Sequence, residues 1–179
     1  MCNFFSALGL PDGTIKWHWM LDSHHEIVGY YGLDDTSDRA KFAKLELTPG
    51  EDWFNADTWQ FKVDEEVQPF WAMDELLGQW DARMRSIVRG QTIMSGEVKM
   101  ILEGFWIIGG DAQVDTVHNG RIIRVADSAT FRSIYGGTFW YIYGGTIQSI
   151  YGGMIQSIYK QAIIINDNRP KAAAVGDGR

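Results

Sequence analysis

The sequence is poor in the residues that usually announce chemistry. It has one cysteine, Cys2, among 179 residues, so no internal disulfide framework holds it and a reducing compartment is expected. No apolar run approaches the ~18 residues a membrane helix needs. The opening MCNFFSALGLPDG lacks the basic start and long apolar centre of a secretion signal. A cytoplasmic location with no membrane partner is the expectation. Charge is scarce in one region above all: between Ser133 and Ile165 the only charged side chain is Lys160.

The net charge of −7 is unevenly spread, with 18 acidic and 9 basic side chains in residues 1–110 against 5 and 7 in residues 111–179. An acidic N-terminal part repels phosphate backbones, so direct nucleic-acid binding is not expected. The sharper alternative is an acidic surface that imitates nucleic acid and occupies a nucleic-acid-binding protein. With 45% hydrophobic and 13% aromatic residues, the chain has ample material for a core, which excludes global disorder.

What the sequence does have is a repeat. Read in eights from Ile134, it runs IYGGTFWY, IYGGTIQS, IYGGMIQS and IYKQAIII. Glycine pairs recur in phase at Gly136-Gly137, Gly144-Gly145 and Gly152-Gly153, and Lys160-Gln161 replaces them in the last unit. A short fixed period of this kind predicts a stacked, quasi-one-dimensional structure. The rhythm extends faintly upstream through Gly120 and Ser128, and through Ile123 and Phe131, which sets the predicted start near residue 110. Apolar positions are spaced three then five (Ile147, Ile150, Ile155, Ile158). A flat strand puts residues three apart on opposite faces, so the chain must bend between Ile147 and Ile150 or bury both faces. A β-solenoid with one short strand per eight residues accounts for this. Two units per coil make a flat two-sided solenoid and three a triangular one. Stacking is expected to lay tyrosine over tyrosine, Thr130, Thr138 and Thr146 over one another, and Gln148 over Gln156.

Ahead of the repeat, two periods alternate. Residues 2–8 and 14–20 read as strands joined by a turn at Pro11-Asp12-Gly13. Ser23 with Glu26 three residues on has capping-box spacing for a short helix ending at Gly32. Lys41–Leu47 and Trp59–Val63 alternate as strands. From Phe70 the period becomes helical, with Leu76, Leu77, Trp80, Met84, Ile87 and Val88 on one side and Gly90 as the stop. The predicted fold is an α+β N-terminal domain over residues 1–109, a short β-solenoid of eight-residue repeats over 110–165, and a polar C-terminal cap and tail over 166–179.

The IYGGTIQS units resemble short-repeat β-helix families: pentapeptide-repeat proteins, and the octapeptide repeats with in-phase glycine of phage tail-spike β-helices. They also resemble glycine-rich repeat tails on uncharacterised proteins of phages and mobile elements. The period is eight rather than the pentapeptide five. The tail-spike likeness implies a trimeric structural component as one alternative. The phage likeness implies, more specifically, an inhibitor of a host defence protein.

No residue pattern makes a convincing catalytic centre. Removal of Met1 exposes Cys2 as an N-terminal nucleophile, the arrangement of class II glutamine amidotransferases and related hydrolases. Those chains usually begin Met-Cys-Gly, and Asn3 stands at the third position here. Cys2 reads as a buried strand residue, with an N-terminal hydrolase as the rival. His18, Asp22, His24 and His25 have no spacing that fixes a ligand set, so no metal is assigned. Glu51-Asp52 and Asp64-Glu65-Glu66 read as solvated loop charges, no phosphate loop follows the glycines, and an ice-binding threonine face lacks the threonines. No catalytic residue and no cofactor is assigned. The expected function is non-enzymatic binding or scaffolding, through a protein partner or self-association as a homo-oligomer, possibly a trimer. Its contact residues are Tyr135, Trp140, Tyr141, Tyr143, Tyr151 and Tyr159, since tyrosine and tryptophan dominate interface energetics.

Overall fold

The computed structural model describes residues 5–35, 41–64 and 69–170. The expectation for Cys2 therefore lies outside the described residues, as does that for Glu65 and Glu66. The chain divides into two compact units between Thr92 and Ile93.

The first unit holds a four-stranded antiparallel sheet. Its strands are β1 (Phe5–Gly9), β2 (Ile15–Lys16), β3 (Ala43–Thr48) and β4 (Gln60–Val63), in the order β2-β1-β3-β4. The hairpin at Asp12-Gly13 forms as the turn residues dictate, with Gly13 at φ 79. Its second strand is only two residues long. Beyond Lys16 the alternation Trp17-His18-Trp19 serves packing instead of pairing: Trp17 meets Phe5 edge-on at 5.5 Å and gives its carbonyl to the Tyr31 hydroxyl at 2.8 Å.

Helix α1 (His24–Tyr30) starts where the capping spacing placed it, the Ser23 Oγ accepting from the Glu26 amide at 3.2 Å. It ends at Gly32 with φ 62, buries Ile27 and Val28, and packs against Leu8 and Phe42. Replacing Ser23 with alanine is expected to cost about 1 kcal/mol, read as a lower urea midpoint with an unchanged slope. Helix α2 (Asp74–Gly90) buries Trp80, Met84 and Val88, while Leu76, Leu77 and Ile87 are half-buried. Arg85 and Arg89 reach back to the turn at Ala56–Thr58, bonding the Ala56 carbonyl and the Asp57 carboxylate.

The second unit is a two-sided β-solenoid. One parallel sheet stacks β6 (Glu97–Ile101), β8 (Gln113–Val117), β10 (Thr130–Ile134), β12 (Thr146–Ile150) and β14 (Ile163–Asp167). The other stacks β5 (Thr92–Ile93), β7 (Phe105–Ile108), β9 (Arg121–Val125), β11 (Thr138–Ile142) and β13 (Met154–Ile158). Two strands per coil is thus the solution adopted. The coils begin upstream of the start predicted near residue 110, because Glu97–Ile101 already pairs with Gln113–Val117 in register.

The five-residue strands solve the three-residue spacing at their centre. The ladder pairs Phe131 with Ile147 and Ile134 with Ile150, and passes over Arg132 and Gln148. Both Ile147 and Ile150 are buried, and Gln148 between them is exposed. Inside, Phe131 and Phe139 meet edge-on at 5.7 Å, among Val114, Val117, Ile122, Val125, Ile134, Ile142, Ile147 and Ile150.

The two edges of the solenoid use different turns. On one edge every turn has three residues and closes on a positive-φ glycine: Gly104 (φ 96), Gly120 (φ 117), Gly137 (φ 89) and Gly153 (φ 86). On the other edge the turns 109–112, 126–129 and 159–162 have four residues, and 94–96 and 143–145 have three. In the four-residue turn 126–129, Asp127 adopts φ 57 and its carboxylate accepts from the Gly110 amide at 3.1 Å. A strict period of eight needs three-residue turns on both edges and five-residue strands between them, which holds from Thr130 to Ile158, where it is plain in the sequence.

Three expectations are corrected by this register. Phe139 lies over Ile122, not Ile123. Thr130 lies over Thr146, but Thr138 is in the opposite sheet and faces Arg121 and Met154. Gln148 and Gln156 are likewise in opposite sheets and cannot stack.

Candidate protein-contact site

The six aromatic residues assigned from the sequence do not form one face. Tyrosine is the first residue of the turn that follows a strand, and its amide continues the ladder; the Tyr151 amide donates to the Ile134 carbonyl at 2.7 Å and that of Tyr159 to Ile142 at 2.9 Å. Because alternate turns fall on opposite edges, the tyrosines separate into two columns. Tyr135 stacks on Tyr151 at 5.1 Å with 11° between planes, and His118 extends that column at 5.0 Å. Tyr143 stacks on Tyr159 at 4.1 Å with 15° between planes. The hydrogen bond between their hydroxyls, 3.4 Å, holds the Tyr159 phenol above its ordinary range.

The second column is joined by the two residues placed on β11. Tyr141 lies 6.1 Å from Tyr143, and Trp140 meets Tyr141 edge-on at 6.5 Å. Two arginines of β9 pack over these rings, Arg121 at 4.6 Å from the Trp140 centroid and Arg124 at 4.1 Å from that of Tyr143. Cation–π contacts of this kind strengthen as water is excluded. The sequence reading missed both arginines. The signal was available in principle, since they lie one coil upstream of Thr138 and Tyr141, but the shifted register hid it.

The more unusual surface is the last coil. Ile142 and Ile150 are fully buried by the coil that follows them, whereas Ile158, the next residue in the Ile142 column, is 48% exposed. Met154, Ile163 and Ile165 are each more than half exposed, and Ile155 and Ile164 are only half-buried. Among the described residues no strand pairs with the outer edges of β13 and β14. Among the described residues the end therefore combines unpaired backbone groups with a floor of isoleucine, and it carries Lys160 and the Asp167–Arg169 pair. That pair is local: Arg169 holds the Asp167 carboxyl down at about 2.

His18, His24 and His25, to which the sequence assigns no metal, have separate surroundings. His18 packs on Tyr30 at 4.6 Å and accepts from the Met20 amide, His24 is buried against the Leu45 carbonyl, and His25 is exposed. Asp52 caps its own turn by accepting from the Phe54 amide at 2.9 Å. No helix is long and apolar enough to cross a membrane among the described residues. Compared with known proteins, the chain matches no family model, no curated protein and no solved structure.

Proposed function

We propose that the chain is a non-enzymatic protein-binding module whose contact surface is the open last coil, and that the coil's occupant is a second copy of the chain. The observation that carries this reading is the exposure of Ile158, Ile163 and Ile165 beside two unpaired strand edges. Asp167 is the one charged residue on the two edge strands, and native β-proteins normally protect such an edge with more charge, proline or a covering element. A flat two-sided end suits self-pairing, because a two-fold axis across it matches each exposed edge with an edge of the other copy and closes the assembly. The new ladders are antiparallel, unlike those within the solenoid. The aromatic–arginine cluster of Arg121, Arg124, Trp140, Tyr141, Tyr143 and Tyr159 lies on one side of the coils and remains available to a further protein.

The test is the mass in solution by light scattering, for the parent chain and for the double substitution Ile158→Lys with Ile163→Lys. The expected result is a mass of two chains for the parent and of one for the variant, since two buried lysines carry an uncompensated desolvation cost. A parent that stays monomeric at high concentration contradicts the proposal. A mass of three chains favours the trimeric reading instead.

A further inference from the structure

The first unit carries a cluster that neither the binding function nor the sequence reading uses. His24 is the first residue of α1, Glu46 lies on β3, and Asp64 follows β4 directly. One donor atom from each lies within 4.8 Å of the other two. Both His24 and Glu46 are buried. Asp64 is held in place by its backbone, the amide donating to the Lys44 carbonyl at 2.7 Å. Lys62, the cross-strand partner of Glu46, sets its ammonium 2.8 Å from both carboxylates.

The imidazole is oriented as a ligand. Its Nε2 lies 2.9 Å from the Leu45 carbonyl oxygen; a carbonyl can only accept, so Nε2 carries the proton. The other ring nitrogen, Nδ1, faces the Asp64 carboxylate, 3.6 Å away. A histidine that donates one ring N–H to a backbone carbonyl, with carboxylates beside its other nitrogen, has the ring orientation of a metal-binding imidazole.

We propose that His24 Nδ1, Glu46 and Asp64 form a site for a divalent transition metal of the zinc class, and that Lys62 is its built-in competitor. One nitrogen and two carboxylate oxygens suit zinc or cobalt better than calcium, which takes six to eight oxygens. Bonds of about 2.1 Å require the three donors to draw closer on binding. Lys62 is half exposed, so its ammonium can move to water and leave the carboxylates to the metal, with solvent in the remaining position. The ammonium sits 2.8 Å from both carboxylates, so the metal must displace it.

The experiment titrates the full chain with zinc by calorimetry and with cobalt by visible absorption. The expected result is one ion per chain, with cobalt bands shifted from those of the aqueous ion. Lys62→Gln is expected to tighten binding by about tenfold or more, as the competing charge is gone. Asp64→Asn and His24→Gln are each expected to weaken it by at least about tenfold, with circular dichroism reporting that the fold is kept. Lys62→Gln is exposed and tests the site even where the His24 variant loses its fold. Absence of binding by both the parent and Lys62→Gln at millimolar metal overturns the proposal. So does binding that Lys62→Gln and Asp64→Asn leave unchanged, which would place the ion elsewhere on the surface.

Discussion

Phe131→Ala is expected to destabilise the solenoid by about 3–5 kcal/mol, the range for truncating a fully buried phenylalanine. Phe131 is at 0% exposure in the middle of the stack and touches Phe139 of the opposite sheet. It is paired on both sides, with Val114 below and Ile147 above. Neither neighbour can collapse into the space, because each is fixed by its own backbone ladder. Tyr135→Ala, four residues on and half exposed, removes one ring from an edge stack and is expected to cost no more than about 1.5 kcal/mol beyond its modest area. Urea unfolding followed by far-ultraviolet dichroism distinguishes the two. A loss at Phe131 no larger than that at Tyr135 would mean that the interior is not packed as described.

Gly145→Val should be of comparable severity for a different reason. Gly145 has φ 82, a conformation that costs an L-residue roughly 1–2 kcal/mol, and more for a β-branched one. A Cβ there would also run into the Ala129 carbonyl of the coil below, which is backbone and cannot rotate away. Relieving that overlap adds about 1–3 kcal/mol. The Ala129 carbonyl also accepts the Thr146 amide at 2.9 Å, so a shift breaks the ladder at its start. The expected total is about 3–5 kcal/mol, measured as the loss of urea midpoint. Lys160→Val is the contrast: it occupies the last turn on the same edge, is exposed and has no positive φ. It should change stability by less than about 0.5 kcal/mol. Equal losses at the two positions would show that coil-to-coil approach does not constrain the glycines.

The solenoid was legible in the sequence because Gly-Gly turns and isoleucines three and five apart are required by its geometry. The burial of both Ile147 and Ile150 followed from those positions alone. Register was not legible. A four-residue turn at 126–129 differs from the three-residue turn at 143–145 by one residue, and in ADSA only the general tolerance of Asp for the left-handed region points to Asp127. That single insertion moved the upstream frame, so Ile123 was read where Ile122 stands, and Arg121 and Arg124 were not seen beside Trp140 and Tyr143. The two-strand coil also splits what looks like a single tyrosine ladder between opposite edges. In the first unit, helix α1 was readable from Ser23 and Glu26, because capping is local chemistry. The meeting of His24, Glu46 and Asp64 was not, since it depends on which strands pair across the sheet.

The central claim is that the last coil is a contact surface completed by a second copy, and amide hydrogen exchange tests it most directly. The amides of Met154–Ile158 and Ile163–Asp167 that point away from the stack should exchange quickly in dilute solution. At high concentration they should become protected by at least about tenfold as the edges pair, and Ile158→Lys with Ile163→Lys should abolish that protection. Exchange that is equally fast at both concentrations would contradict the account.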